Sequence, residues 1–542
     1  MAGDTSANGR DPWKDILMLT LDGGGTRGFA SLLMLQQLMV KIKEIEQNGT
    51  HDFPEEHESS FGRSDGEGEL VAKSAASEPA SDPKSTPGSH GDDSLTQPPH
   101  KKSNLAARRE ITRKKVLEGK SEYLPCHYFD YIGGTSTGGL AALMLGRLRM
   151  SVEECLDIYP KMAESIFRTK KPLSVRGVMR DMYSGTNLGK VIDEIVLERL
   201  PDKPPETYLQ LASPEDLCKT VLVARKDDKL DGPYLFRSYS TSENGTHPHN
   251  PGPANICRIW EAGRATSAAP HYFKSIKIDG HEYYDGGVGY NDPTEEVYKD
   301  VLMRDVNNSQ DPARVSMVLT LGTGTEPGTG TEPISSQKTQ KSKKTKGEAK
   351  GNHKRIGNRI KDLISEQKQV KRLITTYNRV VKDTATSTGP TVKRMQAFAD
   401  DDRTGFEYFK WDGGETVGAL RLDSWKEKAF VGMRRGISEY MEARGDDIEA
   451  VAELLVRTRR NRFAYKPWEG KWQRFAYCTI FNCPLRECEL PKPFGITADL
   501  MRHIEEEHAR TFTDPSSFVE REQLVKPDLR GPFGHGLPVA SR

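Results

Sequence analysis

The apolar positions of this chain fall into short unbroken runs and longer stretches of helical spacing, and the two alternate. Ile16, Leu17, Met18 and Leu19 form a compact apolar run closed by turn residues, the pattern of a strand buried on both faces of a parallel sheet. From Phe29 onward Leu32, Leu33, Leu35, Leu38, Met39 and Ile42 recur at helical spacing, so a helix is predicted to start just after Gly28. The succession then repeats: a stretch of strand character ends at Ile132, the turn Gly133-Gly-Thr-Ser-Thr-Gly-Gly139 follows, and an apolar helix runs from Leu140 to Leu148. Further strands are predicted at Lys219 to Ala224, Tyr234 to Tyr239 and Val315 to Leu321. Helices are predicted at Val152 to Ile166, Leu188 to Leu200 and Ile256 to Ala268. Such alternation argues for an α/β fold.

The pattern lapses in defined places. Residues 48–121 are rich in Ser, Pro, Gly, Asp and His with few aliphatic positions, which predicts a largely disordered insertion. Residues 325–355 carry Gly, Thr, Ser and Lys and turn strongly basic from Gln337 to Arg355, the composition of a solvated loop. That charge would also suit anionic lipid headgroups, nucleic acid or a nuclear-import signal. Amphipathic helical patterns return at Ile356 to Arg379 and at Leu422 to Arg444. No internal repeat is visible.

Composition narrows the class. The chain has 542 residues with 35% hydrophobic positions, and its mean hydropathy of −0.67 is polar for a compact enzyme, in keeping with disordered segments beside a core. Lys and Arg total 79 against 78 Asp and Glu, a net charge of +1 that singles out no partner. The first fifteen residues lack an apolar targeting segment, and nothing approaches a membrane span, so a cytoplasmic protein is expected. Cys126, Cys155, Cys218 and Cys257 are scattered and read as reduced thiols, while the other three cluster near the C-terminus.

Three motifs could carry chemistry. Gly134-Thr135-Ser136-Thr137-Gly138 is a G-x-S-x-G between a strand and a helix, where a serine on a tight turn is exposed and its flanking positions must be small. Asp22-Gly23-Gly24-Gly25-Thr26-Arg27-Gly28 places backbone N–H groups at a helix N-terminus, suited to a phosphate or to a reaction oxyanion. Gly23, Gly25 and Gly28 also satisfy the dinucleotide fingerprint, but the acidic residue at the required distance, Glu44, falls on a charged helix rather than at a strand end. The third motif is Asp285-Gly286-Gly287, followed by Tyr290-Asn291-Asp292-Pro293.

Taken in order, DGGGTRG at 22–28, GTSTGG at 134–139, DGG at 285–287 and LGTG at 321–324 resemble the patatin-like phospholipase family, in particular its fungal members. LGRLRMSVEECLDIY at 145–159 and IWEAGRATSAAPHYF at 259–273 share that resemblance, which spans roughly Leu17 to Met441. It implies a patatin-type three-layer α/β sandwich with a mostly parallel central sheet, built on residues 16–445. It implies a serine lipid acyl hydrolase acting on phospholipids at a membrane surface, with Ser136 as nucleophile and Asp285 as base. Gly23, Gly24 and Gly25 would form the oxyanion loop with Arg27 supporting it, and Gly134, Gly138, Gly286 and Gly287 would shape the turns. No cofactor is expected for that chemistry. Thr26 stands where an aliphatic residue is common, and Asn291-Asp292-Pro293 replaces an Asn-Asn-Pro. Histidines 271 and 281 both precede Asp285, so neither gives the Ser, Asp, His order of ordinary α/β-hydrolases.

Beyond the domain, residues 446–477 read as a linker and 511–542 as a tail. Between them Cys483, Cys488, His503 and His508, with Phe494 and Leu500, resemble a small two-Cys two-His zinc site of loose spacing, with the alternative of an apo tail. A competing function follows: an inactive lipase-like scaffold, or a nucleic-acid-binding protein that uses the basic loop and this segment.

Overall fold

A computed structural model of the chain describes residues 11–48, 123–171, 181–199, 217–226, 232–241, 249–306, 312–325, 389–401, 405–465 and 471–477, with short pieces at 174–175, 178–179, 211 and 213. The insertion, the basic loop, the helical pattern at Ile356 to Arg379 and the Cys483 to His508 segment lie outside the described residues, apart from residues 48 and 325. The chain divides into two units, Met1–Ile45 with Lys120–Arg542, and Glu46–Gly119; the sheet and the site belong to the first.

The sheet grows from the apolar runs. Strand β1 (Asp15–Leu21) lies between β2 (Tyr131–Thr135) and β9 (Arg314–Leu321), and both pairings are parallel. Outside β9 lies β10 (Glu407–Trp411), and outside β2 lies β5 (Lys219–Lys226), again parallel. Two further strands run the other way, β6 (Tyr234–Arg237) and β8 (His281–Asp285), both antiparallel to β5, and β7 (Ile276–Ile278) closes that edge antiparallel to β8. A two-stranded hairpin, β3 (Ser174–Val175) with β4 (Val178–Met179), stands apart. The sheet is therefore mixed and mostly parallel at its centre.

Alternation along β1 shows why its residues read as one apolar run. Leu17, Leu19 and Leu21 enter one core, and Ile16 and Met18 enter the other. The first core is covered by α1 (Gly28–Asn48), α2 (Thr137–Ala142), α3 (Val152–Phe167), α4 (Gly185–Arg199) and α5 (Ile259–Thr266), joined by α9 (Glu427–Glu442) and α10 (Gly445–Ala464). The second is covered by α6 (Thr294–Val301) and α7 (Pro390–Ala399), through Val297, Tyr298, Val301 and Met395. A strand buried on both faces has no polar side to show, so this is a three-layer α/β arrangement.

The helices start where local chemistry dictates. Ser151 caps α3 by accepting the Glu154 amide at 3.1 Å, and Glu154 answers by accepting the Ser151 amide at 2.8 Å, a reciprocal box written in Ser-Val-Glu-Glu. The apolar helix expected over Leu140 to Leu148 is α2 followed by one π turn, Leu143–Arg147. Residues 446–477 are not a plain linker: α10 and α11 (Lys471–Tyr477) occupy much of them, and Val451, Ala452, Leu455, Trp472 and Phe475 are buried. Arg462 of α10 fixes this end of the chain, donating to the carbonyl of Asp15 at 2.6 Å and to the Asp130 carboxylate at 2.8 Å. Its Arg-rich sequence hid an apolar face.

Candidate active site

Two glycine turns leave the carboxyl ends of adjacent parallel strands, the usual place for a ligand in such a sheet. After β1 the chain turns through Asp22, Gly23, Gly24 and Gly25. The Gly23 amide donates to the Asn291 carbonyl at 3.0 Å, and the Gly23 carbonyl accepts from Asn291 Nδ2 at 3.1 Å and Thr323 Oγ1 at 2.9 Å. Gly24 donates its amide to Thr137 Oγ1 at a long 3.3 Å. Gly25 has φ +59°, a conformation that favours glycine, and its carbonyl accepts from the Tyr159 hydroxyl at 2.8 Å. Arg27 is buried, its amide on the Gly24 carbonyl at 3.1 Å and its guanidinium on the carbonyl of Gly418, the last residue of α8 (Gly414–Gly418), at 3.2 Å.

After β2 the second turn carries Ser136 at φ 55° and ψ −126°, a sparsely populated conformation for a residue with a side chain. Its backbone is held from both sides. The Ser136 amide donates to Thr266 Oγ1 at 3.0 Å, Thr266 Oγ1 donates to the Val223 carbonyl at 2.6 Å, and the Ser136 carbonyl accepts the Leu140 amide at 3.0 Å as α2 begins. A Cβ on Gly138 would stand 2.5 Å from the Asp22 carbonyl oxygen, so α2 crosses the end of β1 at backbone contact. A Cβ on Gly23 would stand 3.2 Å from the Ser136 Cβ. The two turns face each other.

Asp285 ends β8 opposite Ala224, one residue beyond the Val223 that pairs with Thr135. It is fully buried, its amide donates to the Ala268 carbonyl at 3.1 Å, and its Oδ1 accepts the Gly287 amide at 2.6 Å. Gly286 then brings the chain against β2, where a Cβ would lie 3.2 Å from Thr135 Cγ2. The Arg264 guanidinium is pushed down to about 10 by burial, with the Asp181 and Asp285 carboxylates acting the other way. The structure thus gathers Ser136, the glycine turn and the Asp285 turn at one end of the sheet.

An apolar pocket of about 550 Å³, counted with its open mouth, leads to Ser136. Gly25, Thr137, Leu140, Tyr159, Met162, Phe167 and Phe273 are among its walls. Ser267 also lines it, and the Ser267 hydroxyl is buried without a protein hydrogen-bond partner. A smaller apolar space shares Leu140 and Met162 with it and continues between Leu143, Ile192 and Ile259. Among the described lining residues there is no histidine: His281 is exposed at the start of β8, and His271 is half-buried beside the lining residue Tyr272. Glu44, the ribose anchor that a dinucleotide would require, is exposed on α1.

The geometry refines the oxyanion expectation. The Gly23 amide is committed to Asn291, the Gly24 amide makes only the long bond to Thr137, and Gly25 lines the pocket with Ser136. Beneath the turn lies a charge cluster that motif reading missed. Lys410 of β10 contacts Asp22 Oδ2 at 2.6 Å and Asp292 Oδ2 at 3.0 Å, and all three side chains are at most 5% exposed. Burial opposes the Lys410 ammonium, but the two carboxylates outweigh it and hold Lys410 above the ordinary lysine range. Burial, together with the Asp292 charge, pushes Asp22 well above the usual carboxylate range. A buried Asp292 requires a cation, which was the available signal.

Comparison with known proteins adds a family likeness. The family model described as patatin-like phospholipase matches residues 111–298. The chain is 30% identical over 187 residues to calcium-independent phospholipase A2-gamma of Rattus norvegicus, covering 34% of this chain and 23% of that relative. It is 24% identical over 260 residues to phospholipase A I of Arabidopsis thaliana, 40% of this chain and 19% of the relative. It is also 28% identical over 216 residues to the probable inactive patatin-like protein 9 of the same plant, 36% of this chain and 50% of the relative. The chain thus spans about a quarter or less of the two phospholipases, and the family match begins at residue 111, near the end of the expected insertion and beyond the glycine turn. With the matched segment, the mostly parallel α/β sheet and the ordered motifs in agreement, this domain is similar to the patatin-like phospholipase family over residues 111–298.

Proposed function

We propose that this domain is a serine lipid acyl hydrolase that cleaves acyl esters of phospholipids through Ser136 and Asp285. The observation that carries the reading is Ser136 itself, held at φ 55° at the foot of an apolar pocket and facing a glycine turn. Asp285 takes the Ser136 hydroxyl proton as Oγ attacks the ester carbonyl carbon. The amides of Gly24 and Gly25 receive the oxyanion of the tetrahedral intermediate, each such donor being worth roughly 3–4 kcal/mol in the transition state. The intermediate collapses, the alcohol leaves with the proton from Asp285, and an acyl-Ser136 ester remains. Water, deprotonated by Asp285, repeats the attack and releases the fatty acid.

The walls suit the substrate. Leu140, Met162, Ile166 and Phe167 offer an acyl chain a lining without charge, and two of the three relatives are named as phospholipases. Among the described residues no helix is long and apolar enough to cross a membrane, so contact with a lipid surface would be peripheral. These steps are complete with the chain's own groups.

An inactive lipase-like domain is the second reading, favoured by the relative named as a probable inactive patatin-like protein. The test is fatty-acid release from phospholipid vesicles, followed by mass spectrometry, for the wild-type chain and for Ser136→Ala. Release by the wild type that falls at least about a thousandfold in the variant is expected. No release from any phospholipid, or equal release by both, would replace the proposal with the second reading.

A further inference from the structure

The Asp22, Lys410 and Asp292 cluster lies where it can set the geometry of the glycine turn. Asp22 immediately precedes Gly23, and Asp292 immediately follows Asn291. Gly23 and Asn291 exchange two hydrogen bonds, Gly23 N to Asn291 O at 3.0 Å and Asn291 Nδ2 to Gly23 O at 3.1 Å. The ammonium therefore joins the chain neighbours of the very pair that docks the turn. We propose that Lys410 is a positioning residue for the glycine turn, bridging Asp22 and Asp292 so that the amides of Gly24 and Gly25 point at Ser136. The proposal rests on the oxyanion role given to those amides above.

Asp292 and Lys410 are anchored elsewhere. Asp292 Oδ1 accepts the Thr294 amide at 3.0 Å and the Thr294 hydroxyl at 2.5 Å, which pins Asp292 to the start of α6. Thr294 Oγ1 in turn meets Thr20 Oγ1 at 2.8 Å and Thr320 Oγ1 at 2.9 Å, tying the same point to β1 and β9. Lys410 sits opposite Thr320 in the pairing of β10 with β9, and the carbonyls of Trp411 and Asp412 accept the amides of Gly322 at 2.6 Å and Gly324 at 2.5 Å. Of the three charged residues, Asp22 leads straight into the turn. Removing the ammonium leaves two buried carboxyl groups with no cation between them. Asp292 is held by Thr294, so Asp22 gives way and carries Gly23 with it.

The cluster offers a test that separates position from charge balance. Lys410→Met removes both. Lys410→Met combined with Asp292→Asn restores the charge balance without restoring the bridge. In the full-length chain the single variant is expected to lower kcat for an acyl ester at least about tenfold with KM within about twofold, the mark of an interaction used in the transition state. The double variant is expected to recover the melting temperature toward wild type while kcat stays low. Amide hydrogen exchange of a peptide covering residues 22–28 is expected to quicken in both variants, and Lys410→Arg to recover part of kcat. Should the single variant fail to fold, the double variant carries the same comparison. Recovery of kcat together with melting temperature in the double variant would overturn the proposal, as would unchanged exchange at 22–28. An inactive wild-type chain would sink the proposed function instead, and the exchange measurement would still decide the role of Lys410.

Discussion

The turns after β1 and β2 are built on one plan, apolar strand, glycine turn and helix, yet they present opposite things to the pocket. The turn after β2 pushes a side chain outward: Ser136 takes a positive φ, and its amide and carbonyl are both used to hold it there. The turn after β1 presents backbone. Its carbonyls and the Gly23 amide are consumed by Asn291, Thr323 and Tyr159, while the Gly24 amide keeps only a long bond to Thr137 and Gly25 lines the pocket. A shared local pattern thus divides into a turn that presents the Ser136 side chain and a turn that presents backbone. Which neighbours satisfy the backbone decides the difference.

If that division is right, substitutions in the two turns should fail in different ways. The largest effect belongs to the serine turn and its partner strand: Ser136→Ala and Asp285→Asn should each cost at least about a thousandfold in kcat, the double variant little more, since the pair acts as a unit. Melting temperatures close to wild type would accompany the loss, and strictly additive losses would break the pairing. Next comes Gly25→Ala in the amide turn. A side chain there takes a positive φ and strikes the Leu422 carbonyl, so a loss of about 1–3 kcal/mol of stability should appear in denaturant unfolding together with a fall in kcat. Wild-type stability would show the turn to be less constrained than its φ of +59° requires.

Smaller effects sharpen the comparison. Tyr159→Phe strips the Gly25 carbonyl of its donor and should cost about 1–2 kcal/mol in unfolding free energy with a few-fold drop in kcat. Thr137→Val removes the long resting bond of the Gly24 amide and the Thr137 hydroxyl's bond to the Tyr159 hydroxyl, which should cost about 1–2 kcal/mol and leave kcat within a few-fold of wild type. A fall beyond about tenfold in steady-state assays would mean that the Thr137 hydroxyl itself touches the substrate.

The chain announced its centre more clearly than its edges. β1, β5 and β9 were legible because strands buried on both faces carry dense apolar runs, α3 because its capping box and apolar face coincide, and β2 only to Ile132, since it continues through Gly133, Gly134 and Thr135, which read as turn. β7 and β10 were not, since each is short, borders the sheet and mixes lysine with apolar residues. α10 was hidden for another reason, as Arg457 to Arg462 read as a basic linker while Val451, Ala452 and Leu455 supply the buried face. At the site, Ser136, Asp285 and the glycine turn came from motifs with fixed spacing. The commitment of the Gly23 amide to Asn291, the support of Ser136 by Thr266 and the bridge through Lys410 join residues more than a hundred positions apart. No local pattern encodes such pairings. The unusual Asp292 was visible, but only the fold supplied the lysine that neutralises it.

The central claim, that Ser136 is the activated nucleophile facing a working amide turn, is most directly tested by covalent capture. The intact chain would be treated with a fluorophosphonate probe, digested and mapped by mass spectrometry, beside Ser136→Ala and Asp285→Asn. The account expects one adduct, on the peptide bearing Ser136, absent from the serine variant and at least about a hundredfold slower to form in the aspartate variant. Labelling that persists in Ser136→Ala, or that proceeds at the wild-type rate in Asp285→Asn, would contradict it.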